Sequence, residues 1–313
     1  MSRFQRILVP VDFSAESLQV LHYGCAFARH DHATLDLLHA VENLAPLTFG
    51  GAEVVSTLAV QYAQEAESSA RTALEKLAPP SWTQGLSVER HAVQGATAET
   101  ILDHARAKHV DLICVGTHGR GGVTRMLLGS VAEKIVQRAN CNVLVVRRVE
   151  RDFVKPDSDV PALGRVLVPI DFSERGQKAL EEGAGLADRF KAELHLLHVV
   201  EDTSPITSEI AMASSVFQSY ILELTRAGEK QLNEQKVPGS AAGGVVKRKV
   251  VVGSPISRIT AYAMDQEIDL IVMGTHGRTG ASHWLLGSVA ERVVRSAPCP
   301  VMVCRRTPPA PVM

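Results

Sequence analysis

An internal repeat is the feature that most constrains how this chain can fold. The segment Ile7–Ser14, with the sequence ILVPVDFS, returns as Val166–Ser173, with the sequence VLVPIDFS, at an offset of 159 residues. Further along, the motifs GTHGR and LLGSVAE of Gly116–Glu133 return in Gly274–Glu291 at an offset of 158 residues. Because the two offsets differ by a single residue, a tandem duplication of one domain is the simplest explanation.

Each half alternates between short apolar runs and stretches with helical periodicity, which is typical of βαβ units. Strands of the first half are predicted at residues 6–11, 34–41, 86–93, 111–116 and 142–147. Strands of the second half are predicted at residues 165–170, 193–200, 245–252, 269–274 and 300–305. Several of these runs are apolar throughout, as expected of a parallel sheet with helices on both faces. The sequence therefore predicts an α/β fold with two tandem, doubly wound parallel-sheet domains of five strands each.

The segment between the halves has mixed charge, two prolines and little periodicity, which favours a linker. The predicted divisions are a first domain at 1–148, a linker at 149–163, a second domain at 164–306 and a tail at 307–313. Helices are predicted to begin at Ser14, Thr97 and Ser130, each acting as an N-cap. Ser130 and Glu133 have the spacing of a capping box.

Composition excludes several classes of protein. Hydrophobic residues make up 45% of the chain and charged residues 21%, so both halves can form ordered cores. The 33 Lys and Arg residues nearly balance the 34 Asp and Glu residues, and we expect no nucleic-acid partner. The sequence starts without an apolar leader and contains no apolar stretch of membrane-spanning length, so we expect a cytoplasmic protein without membrane contact.

A glycine-rich loop follows the fourth predicted strand of each half. In the first half Gly116, Gly119, Gly129 and Ser130 follow the pattern GxxG, nine residues, GS. The second half repeats the spacing with Gly274, Gly277, Gly287 and Ser288. Glycine permits positive φ and close approach to an anion, and the start of a helix favours phosphate, so the loop is predicted to hold a polyphosphate. A tight turn followed by serine N-caps, with no ligand, is the alternative.

The loop after the first strand of each half should contribute to the same site. It carries Asp12 in the first half and Asp171 in the second. Ligands of open parallel sheets bind beyond the carboxyl ends of the strands, where strand order reverses. The sequence has no GxxxxGK[ST], GxGxxG or GxSxG motif and no paired carboxylate beside the glycine loop, so no catalytic residue is assigned.

Together these motifs resemble the universal stress protein family in its tandem two-domain form. The resemblance rests on the VP[VI]DFS strand, the LLH[AV]VE strand at Leu37–Glu42 and Leu196–Glu201, the GTHGR turn and the full glycine motif, and it covers nearly the whole chain. It implies a flavodoxin-like or Rossmann-like fold and ATP bound by the glycine motif. Family members without this motif do not bind ATP.

The resemblance also implies roles for individual residues. Asp12 and Asp171 should contact the adenosine, and the backbones of Ala40 and Val199 should face the adenine edge. The residues expected around the ribose and phosphates are Gly116, Gly119, Gly129, Ser130 and Val131, and in the second half Gly274, Gly277, Gly287, Ser288 and Val289. Magnesium or manganese should bind mainly through the phosphates, because the chain offers no cage made of protein alone.

Three functions stay open at this point. The leading hypothesis is an ATP-binding regulator of the stress response that is not a dedicated enzyme. The alternatives are an interaction scaffold without functional nucleotide binding and a slow ATPase. The resemblance implies that the fifth strands lie at the edges of their sheets. The two halves are therefore expected to pair internally through these strands, and a further homodimer is compatible with this.

Histidines and cysteines receive mostly structural interpretations. His118 and His276 lie in the glycine turn, where bonding to local backbone is favoured over proton transfer. His30 and His32 are compatible with a metal site, but a solvated turn is favoured. The five cysteines are interpreted as reduced core thiols, and only Cys304, beside Arg305, hints at a redox role.

Overall fold

The structure is a computed structural model, and the two halves of the repeat form separate compact units in it. The residues that it describes are 3–42, 52–117, 128–147, 152–155, 160–201, 215–239, 244–275 and 287–305, with backbone alone for 52–60 and Arg175. Within the predicted linker, the N–H of Ala162 donates to the carbonyl of Phe153 at 2.7 Å. The residue bounds of the two domains stay a prediction.

The first unit contains five strands and five helices among its described residues. In chain order these are β1 (Arg6–Pro10), α1 (Ala15–Asp31), β2 (Thr34–Val41), α2 (Ala52–Lys76), α3 (Pro80–Thr83), β3 (Val88–Gln94), α4 (Thr97–Ala107), β4 (Leu112–Gly116), α5 (Ser130–Arg138) and β5 (Asn142–Val146). The apolar runs form the strands and the helical periodicity forms the helices, as the sequence indicates.

The second unit repeats this order among its described residues, without the short helix α3. Its elements are β6 (Arg165–Ile170), α6 (Glu174–Phe190), β7 (Glu193–Val200), α7 (Ser215–Glu234), β8 (Val246–Val252), α8 (Pro255–Asp265), β9 (Leu270–Gly274), α9 (Ser288–Ser296) and β10 (Val301–Cys304). All ten predicted strands are confirmed, with ends within two residues of the predicted ones.

Each unit has a parallel sheet in which the first strand lies in the middle. The strand order is β3-β2-β1-β4-β5 in the first unit and β8-β7-β6-β9-β10 in the second. Ile7 of β1 is paired with Leu35 on one side and Leu112 on the other, and Val166 of β6 has the equivalent place. This order confirms the predicted α/β fold with doubly wound, Rossmann-like domains.

Burial follows from this topology. Right-handed crossovers put α1 and α2 on one face of the first sheet and α4 and α5 on the other. Helices therefore cover both faces of the central strands. Ile7, Leu8 and Val9 accordingly have no exposed surface. The outer strand β3 is only partly buried. Among the described residues, the helices are too short or too polar to cross a bilayer.

The first helix of each unit begins at a serine cap, which confirms the prediction for Ser14. The Ser14 hydroxyl accepts a hydrogen bond from the N–H of Ser17 at 3.2 Å. Ser173 caps α6 in the same way and accepts from Gly176 at 3.0 Å. Each cap satisfies one of the donors that a helix start leaves without an intrahelical acceptor.

The other two predicted N-caps are wrong. Thr97 is the first helical residue of α4, its cap is Ala96, and its hydroxyl donates to Glu42 at 3.0 Å instead. Ser130 is likewise the first residue of α5, because Gly129 has the extended backbone of the cap, with φ −60° and ψ 146°. The predicted capping box at Ser130 is therefore not formed.

A glycine in the first helix of each unit lets that helix lie close to the sheet. A Cβ atom at Gly24 would lie 2.4 Å from Cγ2 of Val9. At Gly183 the same atom would lie 2.3 Å from Cγ2 of Val168. Both neighbours are short, buried and β-branched, so they cannot swing away as a long flexible side chain could.

We predict that Gly24→Ala lowers the free energy of unfolding of the first unit by about 1–3 kcal/mol, because the added methyl group overpacks the core. The better helix propensity of alanine, about 0.5–1 kcal/mol, offsets this only in part. Urea denaturation followed by circular dichroism measures the change. Gly244→Ala is the control, since its added Cβ has no neighbour within 4 Å. Equal stability of the two variants would show that the close helix–sheet contact is unimportant.

Candidate functional site

Those predicted nucleotide-binding residues that the structure describes lie around the carboxyl ends of the central strands, which we call the carboxyl edge. In the first unit the chain leaves β1 toward β2 on one side and later returns to β4 on the other, which makes this end the switch point of the sheet. Asp12 follows β1 and Gly116 ends β4. In the second unit Asp171 follows β6 and Gly274 ends β9. Both loops that the sequence singles out thus start from adjacent strands.

The aspartate after the first strand shapes the turn into the first helix. Oδ1 of Asp12 accepts hydrogen bonds from the N–H of Ser14 at 3.0 Å and from its hydroxyl at 2.6 Å. Oδ1 of Asp171 accepts the same two bonds from Ser173, at 3.0 and 2.7 Å. The aspartate therefore has a structural task in addition to any contact with a ligand, which the sequence alone did not indicate.

The phenylalanine in this turn has a strained backbone in both units. The φ angles are 63° at Phe13 and 60° at Phe172, in the left-handed region that bulky residues rarely adopt. Each ring packs against a histidine of the next strand, with centroid distances of 4.5 Å from Phe13 to His39 and 4.6 Å from Phe172 to His198. Strain of this kind persists only where the surrounding contacts fix the turn, and it is typical of functional sites.

The same histidines hold the turn through a hydrogen bond. Nδ1 of His39 lies 2.7 Å from the carbonyl oxygen of Val11, and Nδ1 of His198 lies 2.7 Å from that of Ile170. Because a carbonyl only accepts, Nδ1 must carry the proton in both cases. Sequence reasoning placed these histidines on strands but missed this role. The repeated pair of motifs, VP[VI]DFS and LLH[AV]VE, is the signal that could have suggested it.

A backbone hydrogen bond closes the base of the glycine loop in each unit. The N–H of Gly129 donates to the carbonyl of Thr117 at 2.7 Å, and the N–H of Gly287 donates to that of Thr275 at 2.6 Å. This bond holds the start of the following helix beside the end of the fourth strand. Four residues singled out in these loops lie outside the described residues: Gly119, Gly277, His118 and His276.

A glycine caps the helix that follows the fourth strand in each unit, and neither cap makes a side-chain hydrogen bond to the helix. Gly129 and Gly287 have φ angles of −60° and −59°, so neither position uses the positive φ that glycine permits. In the first turn of a helix the N–H groups have no intrahelical acceptor. The predicted phosphate-binding residues in these first turns are Ser130, Val131, Ser288 and Val289.

The residues expected at the adenine lie on the neighbouring strand. The N–H of Val11 donates to the carbonyl of Leu38 at 2.9 Å, which continues the β1–β2 pairing up to the edge. Ala40 follows two residues later and is half-buried. Because Pro10 is paired with Leu38, the register of β1 and β2 places Ala40 beside Asp12. Val199 has the equivalent place in β7. These positions are compatible with the predicted roles.

A second group of polar side chains lies in the first unit, away from the carboxyl edge. Asp36 near the start of β2, His91 of β3 and His104 of α4 each offer one ligand atom, and these atoms lie within 4.8 Å of one another. Nε2 of His104 lies 3.1 Å from Oδ2 of Asp36. The three residues are far apart in the sequence, and no spacing rule connects them.

Two cations surround this group. Arg6 donates to Oδ1 of Asp36 at 2.7 Å and to a carboxylate oxygen of Glu89 at 3.0 Å. Lys108 donates to the other oxygen of Glu89 at 3.2 Å. The side chain of Asp36 has no exposed surface, so water cannot solvate its carboxylate. The ion pair with Arg6 compensates the buried charge instead.

These contacts shift the protonation equilibria of the group. Hydrogen bonds from Arg6 above all lower the pKa of Glu89 to about 2. Burial acts to raise the pKa of Asp36, but hydrogen bonds from His104 and Arg6 outweigh it and lower the pKa. Burial also lowers the pKa of His91, because it disfavours the charged imidazolium. Both carboxylates are therefore ionised, and His91 neutral, near pH 7.

The second unit has different residues at the equivalent places. The strand pairings match Asp36 with His195, Glu89 with Lys247 and His91 with Lys249, and the equivalent helices match His104 with Tyr262. Nδ1 of His195 lies 3.0 Å from the hydroxyl of Tyr262. The fold therefore keeps a hydrogen-bonded pair between sheet and helix here, while the other residue types have changed.

Among the described residues, no group of three or more metal-ligating side chains includes His30 or His32. Nδ1 of His30 lies 2.8 Å from Oδ1 of Asp31, and Oδ2 of Asp31 accepts from the N–H of Phe4 at 3.0 Å. His32 is exposed and ends α1 in the left-handed conformation, with φ 56°. Asp31 thus fixes the chain before β1, and this agrees with the structural interpretation of the segment.

The cysteines support the interpretation as core thiols. Four of them are buried and Cys141 is half-buried. Burial raises the pKa of Cys304 well above its ordinary value. A redox sensor needs the opposite shift, since the thiolate is the reactive form.

Comparison with known proteins identifies related sequences over the whole chain. The sequence model described as the Universal stress protein family matches residues 3–147 and again residues 163–305. A universal stress protein of Mycolicibacterium smegmatis is 29% identical over 307 residues, which is 96% of each chain. One of Mycobacterium tuberculosis strain H37Rv is 30% identical over 316 residues, covering 96% of this chain and 97% of that one.

Solved structures give the same result for the fold. The crystal structure of a universal stress protein from Archaeoglobus fulgidus superposes with a TM-score of 0.64 at 23% sequence identity. It covers 97% of this chain and 97% of that chain. At this level of identity the likeness concerns the fold alone.

We predict that His195→Gln reduces the pH dependence of stability. Burial lowers the pKa of His195, so below the unfolded-state value of about 6.5 the unfolded chain takes up a proton that the folded chain resists. This contribution to stability is present above pH 6.5 and is lost as the pH falls toward the folded pKa. Between pH 7.5 and 5.5 the parent should lose about 1 kcal/mol more than the variant in urea denaturation. Equal losses of stability in parent and variant would contradict a lowered pKa of His195 in the folded chain.

Proposed function

The chain belongs to the universal stress protein family, and we propose that it binds ATP, or a related adenine nucleotide, at the carboxyl edge of one or both units. In this proposal it acts as a regulator of the stress response in the cytoplasm and is not a dedicated enzyme. The observation that carries the proposal is the repeated loop base, in which Gly129 and Gly287 bond back to the end of the fourth strand. This bond brings an open helix start next to the switch point of each sheet.

The phosphates would bind at the helix starts. Free N–H groups and the helix dipole favour an anion there, and glycine at the cap allows the phosphate to approach the backbone. Ser130 and Ser288 are not the N-caps of their helices, so their hydroxyls are compatible with donating hydrogen bonds to a phosphate. The GxxG part of the motif, with Gly116 and Gly274 at its start, would complete the cradle.

The adenosine would bind on the other side of the central strand. Asp12 and Asp171 would accept from the ribose or adenine, and the turns that they stabilise are held by His39 and His198. The backbone of the neighbouring strand, at Ala40 in the first unit, would face the adenine edge. A turn fixed before the ligand arrives lowers the entropic cost of binding.

A magnesium or manganese ion would enter with the phosphates. Among the described residues, the one grouping of three or more metal-ligating side chains is formed by Asp36, His91 and His104, away from the carboxyl edge. We propose that an ion at the carboxyl edge keeps water and phosphate ligands, as magnesium prefers. The ion would neutralise part of the phosphate charge.

We also propose that the two units pair through their fifth strands. Considered within its own unit, β5 ends the strand order next to β4, and β10 ends it next to β9. The outer backbone groups of an apolar edge strand need a partner, and a linker of the predicted length permits this pairing within one chain. A homodimer that uses other surfaces is compatible with the same arrangement.

ATP binding is predicted to depend on the two cap glycines. Gly129→Val and Gly287→Val keep a backbone that valine can adopt, but the side chain blocks phosphate approach. In calorimetric titration of protein freed of copurified nucleotide, each variant should lose one binding equivalent if both units bind, and the double variant should lose all binding. ADP and AMP titrations show how much the outer phosphates contribute.

Gly244→Val is the matched control, because that glycine lies outside both loops and has open space around it. Asp12→Asn tests the adenosine side, since asparagine keeps an oxygen that accepts from Ser14 while the charge is removed. If the parent protein does not bind ATP at millimolar concentration, the proposal is wrong and an interaction scaffold is favoured. Steady phosphate release that the double glycine variant abolishes would favour the slow ATPase.

The pairing of the units is tested by small-angle X-ray scattering of dilute protein. A chain of this length that forms one compact body has an expected radius of gyration of about 20 Å. Units that are joined only by a flexible linker would give a clearly larger value and a profile of two separate bodies. The first result is expected, and the second would contradict pairing through β5 and β10.

A further inference from the structure

The first unit carries a group of side chains that the nucleotide site does not use. It consists of Asp36, His91 and His104, and we call it the two-histidine cluster. We propose that this cluster binds one divalent transition-metal ion of the zinc class. A carboxylate oxygen or a water molecule would complete the coordination.

The donor atoms suit such an ion. Two imidazole nitrogens and one carboxylate oxygen form a mixed set that zinc binds well, whereas magnesium and calcium prefer oxygen alone. Three protein ligands with one further position is a common zinc arrangement. The cluster is thus chemically distinct from the phosphate-dominated site at the carboxyl edge.

The cluster also has nearly the required size. Its ligand atoms lie within 4.8 Å of one another. In a tetrahedral zinc site with bonds of about 2.0–2.1 Å, ligand atoms are about 3.3 Å apart. Small side-chain rotations of His91 and His104 would close this difference without moving the backbone. Asp36 and His91 come from adjacent, paired strands, and His104 comes from α4, which contacts β2.

One nitrogen of the cluster makes no hydrogen bond. Among the residues that the structure describes, the buried Nε2 of His91 has no hydrogen-bond partner. The nearest acidic group recorded for it is Oε2 of Glu89, at 3.5 Å. A buried polar atom that bonds to nothing is costly, and such atoms call for an explanation. A metal ion between His91 and its neighbours would satisfy this nitrogen.

Surrounding groups hold the carboxylate ligand in a suitable orientation. Arg6 occupies Oδ1 of Asp36 at 2.7 Å, which directs Oδ2 toward His104 at 3.1 Å. Hydrogen bonds of this kind fix the orientation of metal ligands and support their affinity. Glu89 is held nearby by Arg6 and Lys108 and is the candidate for a fourth protein ligand.

The same surroundings limit the affinity. The charges of Asp36 and Glu89 are balanced by those of Arg6 and Lys108, so the ion gains little long-range attraction. Binding must also displace the proton that lies between His104 and Asp36. We therefore expect a dissociation constant on the order of micromolar, weaker than that of a zinc finger.

The second unit shows that the fold does not require these residue types. There His195 bonds to Tyr262, and lysines stand at the places of Glu89 and His91. A hydrogen-bonded pair is thus enough to join helix and sheet at this position. Among the residues that the structure describes, this ligand set occurs in the first unit, so we assign the metal to that unit and use the equivalent positions of the second as an internal control.

Zinc titration of chelator-treated full-length protein, without nucleotide, tests the proposal. Competition with a chromophoric zinc chelator should show one zinc ion per chain. The double variant His91→Gln/His104→Gln should weaken this binding by about 100-fold or more, since both nitrogen ligands are lost. His195→Gln, from the equivalent site, and His32→Asn, from the exposed turn, should bind like the parent.

Two results would overturn the site. One is the absence of zinc binding at about 100 µM free zinc, well above the expected dissociation constant. The other is a double variant that is folded by circular dichroism and still binds zinc like the parent.

A cobalt spectrum of the parent keeps the test decisive if the double variant does not fold. Cobalt(II) in the two-histidine cluster should give tetrahedral d–d absorption without a thiolate-to-cobalt charge-transfer band. A strong thiolate band would place the ion on a cysteine such as the half-buried Cys141 and would refute the assignment. Because no nucleotide is present, failure here leaves ATP binding untouched.

Discussion

Parallel pairing of the central strand on both sides is the constraint on which the rest of each unit depends. Because β1 pairs with β2 and β4 in the same direction, every connection must cross over the sheet, and all strands end at one edge. The turn after β1 and the loop after β4 therefore start from neighbouring strands. The close contact of Gly24 with Val9 then holds the first helix against the sheet that it leaves.

Comparison of the two units shows that the contacts at the carboxyl edge are repeated, whereas another group of polar contacts is not. The aspartate turn, the strained phenylalanine, the histidine bond and the loop base are repeated almost atom for atom in the two units. The polar group on the sheet beneath α4 is not repeated, since an Asp–His pair in one unit is a His–Tyr pair in the other. Shared geometry thus accompanies the proposed nucleotide site, while divergence marks the proposed metal site.

The sequence predicted the central strands well because they are apolar runs bounded by polar turns, and the repeat supplied every pattern twice. The outer strands β3 and β8 contain several charged residues, so their prediction depended more on their place in the repeat. Helix starts were less predictable: Ser130 has the right residue type for a cap, but the backbone bond between Gly129 and Thr117 moves the cap back by one residue. The group of Asp36, His91 and His104 could not be predicted, because only the strand register and the packing of α4 bring these residues together.

Hydrogen–deuterium exchange of nucleotide-free protein, measured with and without saturating ATP, tests most directly where the nucleotide binds. Slower exchange is predicted for the turn at residues 12–14, the end of β2 and the first turn of α5, together with their counterparts in whichever unit binds. Protection of these segments at millimolar ATP would support binding at the carboxyl edge. Unchanged exchange there, or protection confined to other segments, would contradict it.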